Sequence, residues 1–115
     1  MGKTEGRVQA ECVVWLWNNY PETRGLLCYN LNNSKNRIDG ARNNALGMIK
    51  GRSDLVFYWR GKATMIEMKD EHDGRQSKYQ EKWQKRIEEN GFEYCICRSL
   101  DDFKKLLLNL MGDAQ

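Results

Sequence analysis

The chain has 115 residues and a mass of 13.5 kDa, which is enough for one domain and too little for two. Hydrophobic residues make up 40% of it and charged residues 30%, a balance that excludes a disordered or low-complexity chain. The net charge of +3 does not by itself indicate a nucleic-acid partner, and the longest apolar run, Cys12–Trp17, is too short to span a membrane.

The first part of the chain predicts a helix, a short strand and a second, weaker helix. The first helix covers residues 5–18 and begins after a possible N-cap, Thr4. Its apolar side chains recur at steps of three and four residues: Val8, Cys12, Trp15 and Leu16. We expect a strand at Leu26–Leu31, turn residues over 30–34, and a weak helix over 36–46.

The middle of the chain predicts a β-hairpin. Residues 54–59 and 63–69 are two runs rich in the apolar and aromatic side chains that strands favour. Arg60-Gly61-Lys62 separates them, and a tight turn that contains glycine is typical of a link between antiparallel strands.

The last part predicts a helix, a strand and a final helix. Helix signals resume at Ser77, with large side chains spaced four apart: Tyr79, Trp83 and Ile87. Asn90-Gly91 is a left-handed helix stop, and residues 93–98 form a strand. Ser99 caps the final helix, whose apolar stripe consists of Leu100, Phe103, Leu107 and Leu110. This order of elements predicts an α/β sandwich with a mixed sheet.

The hairpin turn decides which side chains face one another. If Arg60 and Gly61 form a two-residue loop, paired residue numbers sum to 121 and Asp54 lies opposite Glu67. Directly paired side chains point to the same face, with Cβ atoms about 4.5–5.5 Å apart, and Lys69 shares that face. A four-residue loop keeps this register, whereas a three-residue loop shifts it by one.

Two carboxylates opposed in a sheet repel each other unless a positive charge lies between them. Lys69 supplies part of that charge, and a divalent cation supplies it better. Hard oxygen ligands without cysteine or histidine suit Mg²⁺ or Mn²⁺. Since such a metal activates water and stabilises charge on phosphate oxygens, the three residues predict a metal-dependent phosphodiesterase.

Several segments carry a resemblance to a known family. They are Gly51-Arg52-Ser53-Asp54-Leu55, Ile66-Glu67-Met68-Lys69, Gly74-Arg75-Gln76-Ser77-Lys78-Tyr79-Gln80 and, near the N-terminus, Glu5-Gly6-Arg7-Val8-Gln9. In this order and spacing they resemble the VRR-NUC branch of the PD-(D/E)XK nuclease superfamily, over residues 5–110. The resemblance implies a single nuclease domain over 1–115 with a restriction-endonuclease-like three-layer sandwich, in which helices flank a central mixed four-stranded sheet.

The resemblance also implies the site. Its catalytic residues would be Glu5, Asp54, Glu67, Lys69 and Gln80. Asp54, Glu67 and the backbone carbonyl of Met68 would hold Mg²⁺, for which Mn²⁺ substitutes. The family's short stand-alone members, many from phages and prophages, resemble structure-specific DNA endonucleases that act as homodimers on branched DNA such as Holliday junctions. We therefore expect DNA as the partner, no nucleotide cofactor and no membrane, and a cytoplasmic location, in a bacterial host if a phage or prophage encodes the chain.

Two of the implied site residues have structural alternatives. Ser77 and Gln80 also have the spacing of a capping box, in which Gln80 would only bond the helix N-terminus. Glu5 is an acid in a first helical turn, where the helix dipole favours any acid. Glu11 is rotated about 240° from Glu5 around the helix, so only one of the two can face the carboxylate pair, and we expect it to be Glu5.

Basic residues concentrate in one stretch of the sequence. Residues 35–62 contain seven basic and two acidic side chains, an excess that could contact phosphates or could be a solvated surface. The candidate DNA contacts are Lys50, Arg52, Arg75, Lys78 and Lys82. Exposed lysines on a helix are also ordinary soluble surface.

The sequence departs from the family pattern in two places. Ser53 stands where a proline usually precedes the metal-binding aspartate, and Asn30-Leu31-Asn32-Asn33 replaces a more regular turn, so branch preference is open. A nuclease-like fold that binds DNA without cutting it is the alternative function. An interaction domain that uses exposed tryptophan or tyrosine is a weaker one.

The cysteine and histidine content argues against other chemistries. The sequence has four cysteines, one histidine and no C-x-x-C motif, which disfavours a zinc site or a Cys-His catalytic pair. We expect the cysteines to be reduced and buried.

Overall fold

Four strands form one mixed sheet, and the computed structural model describes them within residues 4–30, 37–70 and 74–112. The strands are β1 (Leu27–Tyr29), β2 (Leu55–Trp59), β3 (Lys62–Met68) and β4 (Glu93–Cys97), in the spatial order β1-β2-β3-β4. The pairs β1–β2 and β2–β3 are antiparallel, and the pair β3–β4 is parallel. The predicted mixed four-stranded sheet is therefore confirmed.

The helices are α1 (Glu5–Asn19), α2 (Arg37–Ala45), α3 (Lys78–Glu89) and α4 (Leu100–Leu110), with a short 3₁₀ turn at Pro21–Thr23. Thr4, Ser77 and Ser99 accept hydrogen bonds from the first-turn backbone of α1, α3 and α4. These hydroxyls satisfy amides that have no partner inside the helix, which is why each helix begins there.

Helices cover both faces of the sheet, because the strand side chains alternate between two apolar clusters. On one face, α1 and α4 bury Cys12, Leu16, Phe103 and Leu107 against Leu55, Phe57, Ile66 and Met68. On the other face, Trp83 and Ile87 of α3 pack against Val56, Met65 and Tyr94. Among the described residues this gives the three layers that the sequence predicts.

The turn between β2 and β3 has the geometry that a two-residue hairpin loop requires. Arg60 has φ 47° and Gly61 has φ 83°, both in the left-handed region that matches the twist of the flanking strands. Trp59 pairs with Lys62, and Leu55 pairs with Ile66. The predicted register, with paired numbers summing to 121, is confirmed. Asp54 precedes β2 directly and so adjoins Glu67.

Several sequence expectations need correction. β1 is shorter than the predicted 26–31, and the residues of the predicted turn beyond Asn30 lie outside those that the structure describes. Cys28 and Cys95 are half-buried, whereas Cys12 and Cys97 are buried, and all four are free. Tyr79, expected in the α3 stripe, is exposed because it lies in the first helical turn, ahead of the α3 residues that pack on the sheet.

Within the described part of the chain, no helix is both long enough and apolar enough to cross a membrane.

Two glycine substitutions separate the cost of the hairpin turn from the cost of an added methyl group. A Cβ at Gly61 would meet open space, but the positive φ disfavours alanine there. We expect Gly61→Ala to lower the free energy of unfolding by about 1 kcal/mol. A Cβ at Gly6, in α1, would also meet open space, so Gly6→Ala should leave the free energy of unfolding unchanged or raise it by a few tenths of a kcal/mol. Chemical denaturation measures the free energy of unfolding of each variant. If Gly61→Ala and Gly6→Ala changed it equally, the assignment of the turn would be wrong.

Candidate active site

A polar cluster lies where the end of β3 and the start of β2 meet the first turn of α3. The antiparallel pairing of the two strands brings Asp54 beside Glu67 at this edge. Lys69 follows β3 directly, and its backbone N–H donates to the Cys97 carbonyl, which continues the parallel pairing beyond the strand. Gln80 enters from α3. The hairpin and one helix thus bring together four of the predicted site residues.

Glu67, Lys69 and Gln80 form a closed network. The Gln80 Nε2 donates to Glu67 Oε2 at 2.8 Å, and Lys69 Nζ donates to Gln80 Oε1 at 2.8 Å. Lys69 Nζ also lies 3.5 Å from Glu67 Oε2. Glu67 is 1% exposed and Lys69 is 6% exposed, so this ion pair is shielded from water.

The structure places Gln80 in the network and in the capping box at the same time. Its Oε1 accepts a hydrogen bond from the Ser77 backbone N–H at 2.8 Å, while Ser77 Oγ accepts one from the Gln80 backbone. Because that backbone N–H can only donate, the amide oxygen must point toward it and the amide nitrogen toward Glu67. The helix cap therefore fixes the orientation of the site amide, and the two interpretations are not exclusive.

The environment of Glu67 disfavours its ionised form. Burial, followed by the neighbouring Asp54 carboxylate, raises its pKa to about 8, although Lys69 acts in the opposite direction. Within the described residues, Glu67 Oε1 is buried and has no hydrogen-bond partner. A buried acceptor without a partner is costly unless a cation or water approaches it.

Asp54 is held by main-chain contacts on two sides. Its Oδ2 accepts a hydrogen bond from the Met68 backbone N–H at 2.8 Å. On the other side, the Asn30 backbone N–H donates to the Asp54 carbonyl at 2.7 Å, and Asn30 Nδ2 donates to the Ser53 carbonyl at 3.1 Å. Ser53, in the place of the usual proline, is buried, and its hydroxyl donates to the Leu55 carbonyl.

Sequence reasoning missed Asn30 as part of this arrangement, because an asparagine after a short strand is an ordinary turn residue. The signal that distinguishes it is burial, since Asn30 is a buried amide at the end of an edge strand. A buried amide needs partners, and here they are the carbonyls around the candidate metal ligand.

Two glycines allow close approaches around the same residues. Gly51 has φ 86°, and a Cβ there would overlap the Tyr79 backbone and come within 2.8 Å of the Gln80 nitrogen. A Cβ at Gly74 would lie 2.8 Å from Lys69 Cβ and 2.9 Å from Lys69 Cδ. Gly51 thus lets the segment before Asp54 pack on α3, and Gly74 makes room for the lysine stem.

Glu5 is on the site side of α1, and Glu11 is not. Glu5 and Asp54 line a cavity of about 360 Å³ together with Lys50, Gly51, Ser77, Tyr79 and Gln80. Burial raises the pKa of Glu5, and Asp54 raises it further. Glu11 lines a separate apolar groove near Leu100. The geometry therefore favours Glu5, as the helical rotation suggests.

The five candidate DNA contacts surround the cluster at different distances. Lys50 lies on the cavity, with its Nζ 4.2 Å from the centre of the Tyr79 ring. Arg52 is half-buried in the segment before Asp54. The remaining three are exposed at the start of α3 or just before it: Arg75, Lys78 and Lys82.

The donor set fits a hard divalent cation better than a metal that needs a full protein cage. Among the described residues, no group of three or more His, Cys, Asp or Glu side chains could hold a metal ion. Mg²⁺ is commonly bound by one or two carboxylates, with waters and substrate phosphates completing the shell. The two carboxyl groups of Asp54 and Glu67 match that requirement. Glu67 Oε1 is free to bind a cation because it has no hydrogen-bond partner among the described residues.

Comparisons with known proteins identify the family and the fold. The family model described as the VRR-NUC domain matches residues 5–101. A solved structure described as a "VRR_NUC domain protein" aligns with a TM-score of 0.79 over 96% of this chain and 92% of that chain, at 15% sequence identity. At that identity the likeness concerns the fold. Among curated proteins, no significant match to the sequence is found.

Glu67→Gln should stabilise the metal-free protein at alkaline pH. The unfolded chain releases this proton near the ordinary pKa of 4.5, whereas the folded protein keeps it to about 8, so stability falls as pH rises between these values. In EDTA, we expect the variant to have a Tm several degrees above wild type at about pH 8.5 and a smaller advantage at about pH 5. Glu81→Gln, on exposed α3 surface, is the control for the loss of one charge. An advantage independent of pH would contradict the raised pKa.

Gly74→Ala tests the packing around the lysine. The added methyl group would press on Lys69 Cβ, which the strand backbone holds in place, so the backbone at residue 74 must shift. We expect a loss of about 1–3 kcal/mol in the free energy of unfolding, measured by chemical denaturation. Unchanged stability would contradict a close packing of Gly74 against the Lys69 stem.

Proposed function

The chain belongs to the VRR-NUC domain family, and from that premise we propose that it is a metal-dependent DNA endonuclease. One observation carries the proposal: a buried Glu67 carboxylate with a partnerless oxygen lies beside Asp54 and 3.5 Å from the Lys69 ammonium. A fold gains no stability from burying the Glu67 carboxylate beside a second acid. A site that binds a cation and a phosphodiester needs such a pair.

Asp54 and Glu67 would hold the cation, with the Met68 carbonyl as a third ligand. The Met68 N–H donates to Asp54, and the N–H and C=O of one strand residue point to the same edge, so this carbonyl faces the aspartate side. When bound there, Mg²⁺ or Mn²⁺ would supply a water of lowered pKa and stabilise charge on a phosphate oxygen.

The reaction is the hydrolysis of a phosphodiester bond. The oxygen of a water attacks the phosphorus in line, the bond from phosphorus to the 3′ oxygen breaks, and a 5′-phosphate remains. The Lys69 ammonium, confined by Glu67 and Gln80, orients the attacking water and neutralises the charge that develops on the phosphate. A preorganised ammonium in a shielded site needs no rearrangement during this step.

Gln80 and Glu5 support the three residues that act directly, which are Asp54, Glu67 and Lys69. Gln80 holds the Glu67 carboxylate and the Lys69 ammonium in one geometry, because its amide contacts both. Glu5, across the cavity from Gln80, adds a second carboxylate near Asp54 that can accept hydrogen bonds from waters around the metal.

The substrate we propose is DNA, in particular branched DNA, and the enzyme would act as a homodimer. The basic residues Lys50, Arg52, Arg75, Lys78 and Lys82 would contact the phosphate backbone near the cut. Branch preference and dimerisation rest on the resemblance of the sequence to short members of the family.

Cleavage of labelled junction, flap and duplex DNA tests the proposal. With Mg²⁺ or Mn²⁺ the wild type should cut, and EDTA should abolish cutting. Glu67→Ala and Lys69→Ala should each reduce the rate at least about 100-fold, because each removes a group that acts on the reacting phosphate. The matched controls are Glu89→Ala and Lys105→Ala, which are exposed and distant from the site.

Two outcomes would overturn the proposal. If both site variants cut as fast as wild type, the site is assigned to the wrong residues. If the chain binds DNA in EDTA but cuts no substrate with any divalent ion, the chain is a DNA-binding module with a nuclease fold.

A further inference from the structure

Tyr79 is an aromatic side chain that the fold leaves in water beside the candidate active site. It is 53% exposed, whereas Trp83 and Ile87, which follow it at helical spacing on α3, pack on the sheet. It lines the cavity that also contains Asp54 and Gln80. Because the ring lies in the first turn of α3, ahead of the residues that pack on the sheet, it is not part of the core and is available to a ligand in this cavity.

The position of Tyr79 is fixed by the backbone around it. It is the second residue of α3, between the Ser77 cap and Gln80, whose side chain contacts Lys69 and Glu67. The backbone at Gly51 approaches Tyr79 so closely that no Cβ fits between them. Because the backbone is already fixed, a ligand that binds the ring has to order only the two side-chain torsions of the tyrosine. This lowers the entropic cost of binding.

Lys50 adds a positive charge to the same place. Its Nζ lies 4.2 Å from the centre of the Tyr79 ring, and both residues line the cavity. Within the described residues, no second aromatic ring contacts Tyr79. An aromatic ring with an ammonium over one face is a combination that binds one nucleotide of a single strand, the base stacking on the opposite face and the cation contacting a phosphate.

We propose that Tyr79 and Lys50 form a subsite for an unpaired nucleotide of the DNA, next to the phosphate that is cut. In a continuous duplex, each base face is covered by its neighbours, so only a base at a junction, flap or single-stranded segment can offer its face to Tyr79. The subsite thereby selects substrates with an unpaired base at the cut. This inference rests on the proposed endonuclease function and adds a residue-level basis for its substrate choice.

The cavity supports the placement next to the scissile phosphate. Its volume of about 360 Å³ lies within the range of small-ligand sites. Asp54 and Gln80 are on its wall together with Tyr79 and Lys50. A nucleotide stacked on Tyr79 is therefore adjacent to the phosphate that Asp54 and Lys69 would act upon, without any rearrangement of α3.

Binding measured in EDTA separates this inference from the endonuclease proposal, because no cleavage is needed. The probes are a DNA duplex with a single-stranded flap that carries 2-aminopurine beside the branch, and a matched continuous duplex. Tyr79→Leu should weaken flap binding about 5- to 100-fold, remove the fluorescence quenching that stacking causes, and leave duplex binding unchanged. Tyr79→Phe keeps the ring and should behave as wild type.

The controls cover folding and surface effects. Tyr58 is a similarly exposed tyrosine on β2, and Tyr58→Leu should change neither probe. Lys50→Ala should weaken flap binding and lower the slope of log Kd against log salt concentration by about 1, which corresponds to one lost phosphate contact.

Two results for a Tyr79→Leu variant that folds as wild type would overturn the subsite. One is that the variant keeps its quenching and flap affinity, and the other is that it loses flap and duplex binding equally. Tyr79-dependent binding without cleavage in Mg²⁺ would instead overturn the endonuclease function and leave the subsite standing.

Discussion

The burial of the Glu67 carboxylate beside Asp54 is the constraint on which the rest of the structure depends. Two acids at neighbouring positions of a sheet, with one of them 1% exposed, oppose folding unless other groups compensate. Part of the compensation is visible: the Lys69 ammonium, the Gln80 amide and the Met68 N–H all face the pair. The Glu67 oxygen that remains without a partner marks where that compensation is incomplete. In the function that we propose, a cation would complete this shell.

Local features of the sequence place both halves of this site. The Arg60-Gly61 turn sets the hairpin register, and that register alone decides that Asp54 adjoins Glu67. The capping box at Ser77 orients the Gln80 amide toward Glu67. Because each device acts over a few residues, each could be predicted from the sequence. The α/β sandwich with a mixed sheet followed from the order of elements, and the three layers followed from the family resemblance.

The parts that could not be predicted depend on contacts between residues distant in the sequence. Asn30 supports the segment before Asp54 across 23 residues, and nothing near it distinguishes it from an ordinary turn asparagine. Gly74 matters because of where the Lys69 stem passes, which only packing reveals. Tyr79 has the spacing of a core residue, yet it lies in the first turn of α3, ahead of the residues that pack on the sheet, so periodicity gives the wrong answer. Periodicity reports the face of a helix, and it does not report which turns of that helix are covered.

The chemistry of the amide explains why Gln80 suits its position better than a charged residue would. Its nitrogen donates to Glu67 while its oxygen accepts from both Lys69 and the Ser77 backbone, so it satisfies three groups without adding charge. A glutamate there would place a third negative charge beside a carboxylate whose pKa is already raised to about 8. A lysine could not accept from the helix N-terminus or from Lys69. The neutral amide thus holds the Glu67 carboxyl group and the Lys69 ammonium in one geometry, and in the proposed function their charges would remain available to a metal and a phosphate.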